Sequence, residues 1–357
     1  MQKLSYQPVV EATRGGIVES VHYGAIAVVS ADGRLIASWG DPFAVTFLRS
    51  SSKPLQVLPF IEQGGDQKFQ LSDKEIAVMC ASHSGTEDHV NTIRGVQQRL
   101  GIDESELLCG AHAPFDPPSA KALRARGEEP TAIHNNCSGK HTGFLAAATL
   151  RKAPHADYTN PAHPIQKTII QAFAEMTDYP VDKIAVGVDG CSAPVFGLPI
   201  YNAAYAFARL ADPRGLSPER ARACVVITRA MMKHPDMVAG PNRFDTLVMR
   251  AAKNKIATKG GAEGYQAIAV MPGALGKDSP ALGICYKTGD GDAADRSGAI
   301  IGLTILQQLK LLKQKDLEGD LAPRGPRNIK NWAGKVVGEL RPCFELDWSA
   351  LRRWVKS

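Results

Sequence analysis

No apolar run approaches the roughly 18 residues that a membrane-crossing helix needs, so no membrane segment is expected. The first residues, Met1-Gln2-Lys3-Leu4, hold no apolar stretch and no small-residue cleavage site, which points to a cytoplasmic protein. Aromatic residues are scarce at 6%, so the core has to rest on Ala, Val, Ile and Leu. The seven cysteines are odd in number, scattered, and form no Cys-x-x-Cys pair, which argues against a disulfide framework and for reduced thiols. Cys80, Cys224 and Cys285 lie in apolar runs and read as core, whereas Cys137 and Cys191 lie in polar, glycine-containing stretches. Internal repeats and low-complexity segments are absent.

Charge of one sign is concentrated rather than abundant. The net charge is +6, and from Gln307 onward eleven Lys and Arg face six Asp and Glu, so the tail carries nearly all of it. There is no basic face interleaved with aromatics and no nucleic-acid module, so no nucleic-acid partner is expected. The tail from Gln307 onward reads as a solvated basic helix with a loop after it, and residues 321–357 as a basic C-terminal extension.

What is present is ordinary for a folded chain: 44% apolar and 22% charged residues over 357 positions. Periodicity predicts strands over 16–22, 24–29 and 35–39, the last two joined by a turn at 31–34. A helix is expected over about 51–63, a second opened by the capping box Ser72-x-x-Glu75 and running to about 81, and a third over 86–100 stopped by Gly101. The middle reads as helices over about 138–150, 164–177, 199–211, 217–233 and 243–253, interrupted by a short buried strand at 183–188. Strands over 264–270 and 281–286 precede a long helix over about 292–312. The fold class expected is therefore α/β (α+β): an antiparallel sheet from both chain ends with a mainly helical insertion. Residues 1–320 would form one catalytic unit, with a sheet lobe from about 8–45 and 260–312 and a helical lobe from about 50–255.

Three segments carry chemistry. In Arg49-Ser50-Ser51-Ser52-Lys53-Pro54, at a helix start, Ser50 and Lys53 fall on one face a turn apart. A desolvated, neutral lysine can take a serine proton there, with helix N–H groups offered to an oxyanion. The same spacing also serves a capping serine beside an exposed lysine. Ser82 and His83 sit in a polar turn after a helix end, where capping and catalysis are both open. The stretch from His134 to His141 packs Cys and His ahead of an apolar helix, and Asp189-Gly190-Cys191 could complete a metal site. Its spacing matches no structural zinc pattern. Gly289-Asp290-Gly291-Asp292 lacks the later acidic ligands of a calcium loop and reads as a turn.

Taken together, the motifs at 10–15, 49–54, 81–83, 134–143, 188–194, 259–264 and 289–292 closely resemble the rhizobial-type L-asparaginases, a class within the asparaginase II family. The resemblance spans about 8–318. It implies a fold like that of serine β-lactamases and penicillin-binding proteins, a homodimer, and two Ser–Lys pairs, Ser50 with Lys53 and Ser82 with Lys259. Ser50 is assigned as nucleophile and Lys53 as its base. The resemblance further implies a zinc ion held by Cys137, Lys140 and Cys191; Arg49 and Asp189, next to these residues, are candidates for gripping the substrate's α-carboxylate and α-amino groups, with His83 as a further substrate-binding residue. Lys287-Thr288-Gly289 looks like the Lys-Thr-Gly motif of β-lactamases, so Lys287 competes with Lys259 as second lysine. The expected reaction is hydrolysis of L-asparagine to L-aspartate and ammonia. A β-lactamase- or peptidase-like acyl hydrolase and a non-catalytic zinc- or amino-acid-binding protein are the alternatives.

Overall fold

The apolar residues of Pro8-Val9-Val10-Glu11-Ala12 precede Gly15 and Gly16, whose φ angles of 55° and 85° suit glycine. Together they fold the start of the chain into a hairpin of strands Gln7–Arg14 and Ile17–Ser30. The structure, a computed structural model, describes residues 5–354. Residues 1–4, read above for a leader, and 355–357, the end of the basic tail, lie outside it.

The chain divides into two compact units, a sheet unit of 1–48, 198–212 and 247–357 and a helical unit of 49–197 and 213–246. In the sheet unit the strands run in the order Arg327–Lys330, Val336–Pro342, Gln7–Arg14, Ile17–Ser30, Leu282–Thr288, Tyr265–Val270, Ile256–Gly261, and Leu35–Trp39 pairs with Ile17–Ser30 as an eighth. Neighbours pair antiparallel, with Ile26 opposite Tyr286 and Lys259 opposite Ala267. The central strands are buried on both faces because helices Ile200–Ala211 and Gly298–Gln308 pack on the sheet. The antiparallel sheet built from both chain ends, interrupted by a mainly helical insertion, is the architecture expected.

Four expectations need correction. Within the basic tail, 327–330 and 336–342 form not a helix but a hairpin that joins the sheet, Val10 pairing with Pro342. Strand preference in Ile329, Val336 and Val337 outweighed the charge pattern. The helix expected over 292–312 covers only Gly298–Gln308, because the Asp292 carboxylate accepts from the N–H groups of Arg296, Ser297 and Gly298 and holds a turn ahead of it. The strand at 185–188 is exposed rather than buried, Val188 being 79% accessible. Residues 198–212 and 247–255 belong with the sheet, not with the helical lobe.

In the helical unit the capping box at Ser72 and Glu75 forms and opens helix Asp73–Met79, and helix Glu87–Leu100 ends at Gly101 with φ 65°. Helix Ser138–Arg151 lies hard against the end of Asp73–Met79. A Cβ on Gly139 would stand 2.2 Å from the Val78 carbonyl oxygen, a contact only glycine permits. Gly139→Ala should therefore cost about 1–3 kcal/mol through forced helix displacement. A thermal melt with an unchanged midpoint would contradict that packing.

Candidate active site

Residues Arg49–Ser52 form one 3₁₀ turn that runs into helix Lys53–Glu62. A 3₁₀ turn eclipses positions three apart, which stacks Ser50 and Lys53 on one face. Arg49 itself has φ 49°, a left-handed conformation that costs any residue carrying a Cβ. Its side chain is anchored by the Asp189 carboxylate at 2.6 Å. The helix is not capped by its serine, since Ser52 donates its hydroxyl back to the Arg49 carbonyl at 2.7 Å. The simple capping explanation therefore fails for Ser52.

Lys53 is buried, 1% exposed, and its amine reaches the Ala81 carbonyl at 2.6 Å, the Ser82 hydroxyl at 2.9 Å and the Cys137 sulfur at 3.2 Å. No carboxylate is among these partners. A buried lysine is costly unless its protons are all satisfied, and three acceptors match the three protons of an ammonium. When the amine is neutral its lone pair needs a donor. A carbonyl cannot supply one, but the Ser82 hydroxyl can. These contacts join Lys53 to Ser82, while Ser50 lies half-buried at the turn above.

A second buried amine, Lys140, contacts the Cys191 sulfur at 3.0 Å and stands over the Phe144 ring. The sulfurs of Cys137 and Cys191 hydrogen-bond each other. That bond, with Lys53 and Lys140 nearby, drives Cys137 well below the usual thiol range despite its burial. The same bond, with burial, pushes Cys191 up. Burial would lower the Lys140 amine, but Cys191 and Cys137 outweigh it and raise it. Among the described residues no three His, Cys, Asp or Glu side chains gather as a metal site. A metal here therefore depends on the lysine. Two buried sulfurs and one buried amine are donors that would suit zinc once the lysine had lost its proton.

Asp189 opens the turn that delivers Cys191, accepting from Arg49 and from the Gly190 N–H at 2.8 Å. Burial would raise its carboxyl, but Lys140 and Arg49 hold it below the ordinary value. Arg49, Ser50, Lys53, Ser82, Cys137, Lys140, Asp189 and Cys191 thus all belong to the helical unit. Lys259 is on the sheet unit's edge strand, buried, its amine donating to the Gly260 carbonyl at 2.6 Å. Lys287 sits two strands further in, where burial lowers its amine against the pull of Asp290 and Glu263.

His83 departs from the expectation of a substrate contact. It is fully buried, its Nε2 bonds Ser138 at 2.9 Å and its Nδ1 accepts from the Gly85 N–H at 3.1 Å, so no ring nitrogen faces a substrate. Asn135, which the sequence did not single out, accepts from the Cys137 N–H at 2.8 Å and donates to the Cys109 carbonyl at 2.8 Å, fixing the turn that carries the thiol. Its place inside the dense 134–141 stretch was the available signal.

A Bacillus subtilis glutaminase, YbgJ, solved as a covalent complex with 5-oxo-L-norleucine, matches at 13% identity with a TM-score of 0.38 over 81% of this chain and 88% of that one. A β-lactamase from Mycobacterium bovis matches at 13% identity with a TM-score of 0.39, over 80% and 94%. Likenesses this slight carry neither substrate nor mechanism. No curated protein matches the chain. The sequence model of L-asparaginase II, by contrast, matches residues 10–342, nearly the whole length. With that match the chain belongs to the L-asparaginase II family, and it is an amidohydrolase.

Proposed function

We propose that the protein hydrolyses L-asparagine to L-aspartate and ammonia through an acyl-enzyme on Ser50. The observation that carries this reading is the buried Lys53 amine, three residues after Ser50 and hydrogen-bonded to Ser82 with no carboxylate to neutralise it. Neutral Lys53 takes the Ser50 proton as Oγ bonds to the side-chain carbonyl carbon of the substrate. Ser82, holding a hydrogen bond to that amine, passes a proton to the departing nitrogen, the C–N bond breaks, and ammonia leaves. Water then attacks the ester, the serine recovers its proton, and aspartate is released. Arg49 and Asp189 grip the α-carboxylate and α-amino groups, their ion pair being complementary to an amino-acid zwitterion. The family resemblance would make Lys259, rather than Lys287, the second lysine.

Cys137, Lys140 and Cys191 would hold a zinc ion, which when bound supplies positive charge beside the catalytic serines. The chain's own contribution there is to deliver two sulfurs and an amine that must lose its proton. We also propose a homodimer, with a light-scattering mass twice the 38.3 kDa of the chain.

The decisive assay is ammonia release. Purified protein given L-asparagine should release ammonia with kcat of at least about 1 s⁻¹. Hydrolysis of a chromogenic β-lactam with none of asparagine would replace this reading by an acyl hydrolase of larger substrates. Binding of asparagine without turnover would make the protein a receptor.

A further inference from the structure

We infer that His83 is a neutral positioning residue that locks the turn carrying Ser82 onto the turn carrying Cys137. The inference rests on the reading of Ser82 and Cys137 as parts of the working site. The His83 N–H donates to the Asn136 carbonyl at 3.1 Å, stitching the two turns at the backbone. Its side chain makes the second stitch. Because Nδ1 accepts from the Gly85 N–H, the ring proton must sit on Nε2, which then donates to the Ser138 hydroxyl. Ser138 in turn donates to the Ile133 carbonyl at 2.7 Å, so every proton in the chain has one direction. The ring stacks on His89 at 5.1 Å, and His89 is itself held by the Asp236 carbonyl at 2.9 Å.

Only the neutral ring fits this pattern, since an imidazolium would set its Nδ1 proton against the Gly85 N–H. The neighbours agree with that geometry. Burial, then His89, Lys53, His112 and His134, all disfavour a charge on His83. The consequence lies at the Lys53 amine, which needs Ser82 at 2.9 Å and Cys137 at 3.2 Å together. Those partners come from the two turns that His83 joins. Loosening the stitch spreads them apart while leaving the groups that grip the substrate, Arg49 and Asp189, in place.

The test compares His83→Ala, His83→Gln and Ser138→Ala. Glutamine keeps a donor where Nε2 stood, whereas Ser138→Ala removes the acceptor and leaves the histidine. His83→Ala should lower kcat for asparagine about 100-fold through misplacement, with KM changed less than about threefold. His83→Gln should recover at least about tenfold of that loss. A second readout needs no turnover: iodoacetamide labelling of the metal-free protein, followed peptide by peptide. Cys137 should react at least about tenfold faster in His83→Ala and Ser138→Ala than in wild type, with Cys224 and Cys285 unchanged. Should wild type release no ammonia from asparagine, the substrate assignment falls and the labelling alone decides the clamp. Unchanged Cys137 labelling overturns the inference, as does a glutamine variant no better than alanine. Equal acceleration at Cys224 and Cys285 would make His83 a residue of general stability. A raised KM with normal kcat would return it to the substrate.

Discussion

Ser50→Ala should lower asparagine turnover by about three orders of magnitude or more, the usual result of removing a covalent nucleophile. Folding should be little affected, because the half-buried Ser50 hydroxyl is not among the hydrogen bonds that hold the turn, a task done by Ser52 on Arg49 and by Arg49 on Asp189. Ser82→Ala should behave differently. It removes the hydroxyl partner of Lys53 and leaves the nucleophile, so a loss nearer 10- to 100-fold is expected, the range of a proton-transfer contribution. The geometry offers a direct rival, since the Lys53 amine hydrogen-bonds Ser82. If Ser50→Ala keeps more than about a tenth of wild-type turnover while Ser82→Ala is dead, the nucleophile is Ser82. Mass spectrometry of protein quenched during turnover, with aspartyl added to the peptide holding one serine or the other, gives the same answer without mutation.

The pieces of this site were readable because they lie in short polar stretches between strongly periodic helices. Ser-x-x-Lys at 50–53, Cys137 with Lys140, and Asp189 with Cys191 each sit where an element begins or ends. What was not readable is which partner each side chain takes, since Lys53 meets Ser82 and Cys137 across separations of 29 and 84 residues. The surroundings of His83 were unreadable for the same reason: it is held by Ser138 and His89, not by its polar neighbours in sequence. The fold was legible where periodicity and caps agreed, as at Ser72 and Gly101. It failed where long-range pairing overrode local pattern. Residues 327–342 look basic and loop-like alone, and become strands because Gln7–Arg14 presents an edge for them to pair with. Strand 185–188 is uniformly apolar yet exposed, and no local signal separates that from a buried strand.

Zinc affinity should fall steeply with acid, and the protons of the free triad set the slope. Cys137 is driven down from the usual thiol range, toward the thiolate, by the hydrogen bond from Cys191. Cys191, driven up by the same bond and by burial, keeps its proton. Lys140, raised by the two sulfurs against its burial, keeps its proton as well. Binding through all three donors must therefore expel two protons, one from Cys191 and one from Lys140. The apparent association constant should change about 100-fold for each pH unit near neutrality, weaker toward acid, since each expelled proton contributes a factor of ten. Lys140→Met removes one of those protons along with one ligand, so its weaker binding should show a slope of only about tenfold per unit. Cys191→Ala should leave the purified protein without zinc, while wild type carries up to one ion per chain. Competition titrations against a chromophoric chelator at pH 6.5, 7 and 7.5 measure the slope, and elemental analysis measures the content. A pH-independent constant would mean that Lys140 and Cys191 are not both ligands. Wild-type protein that holds no zinc after growth and soaking with the metal would remove the ion from this site altogether.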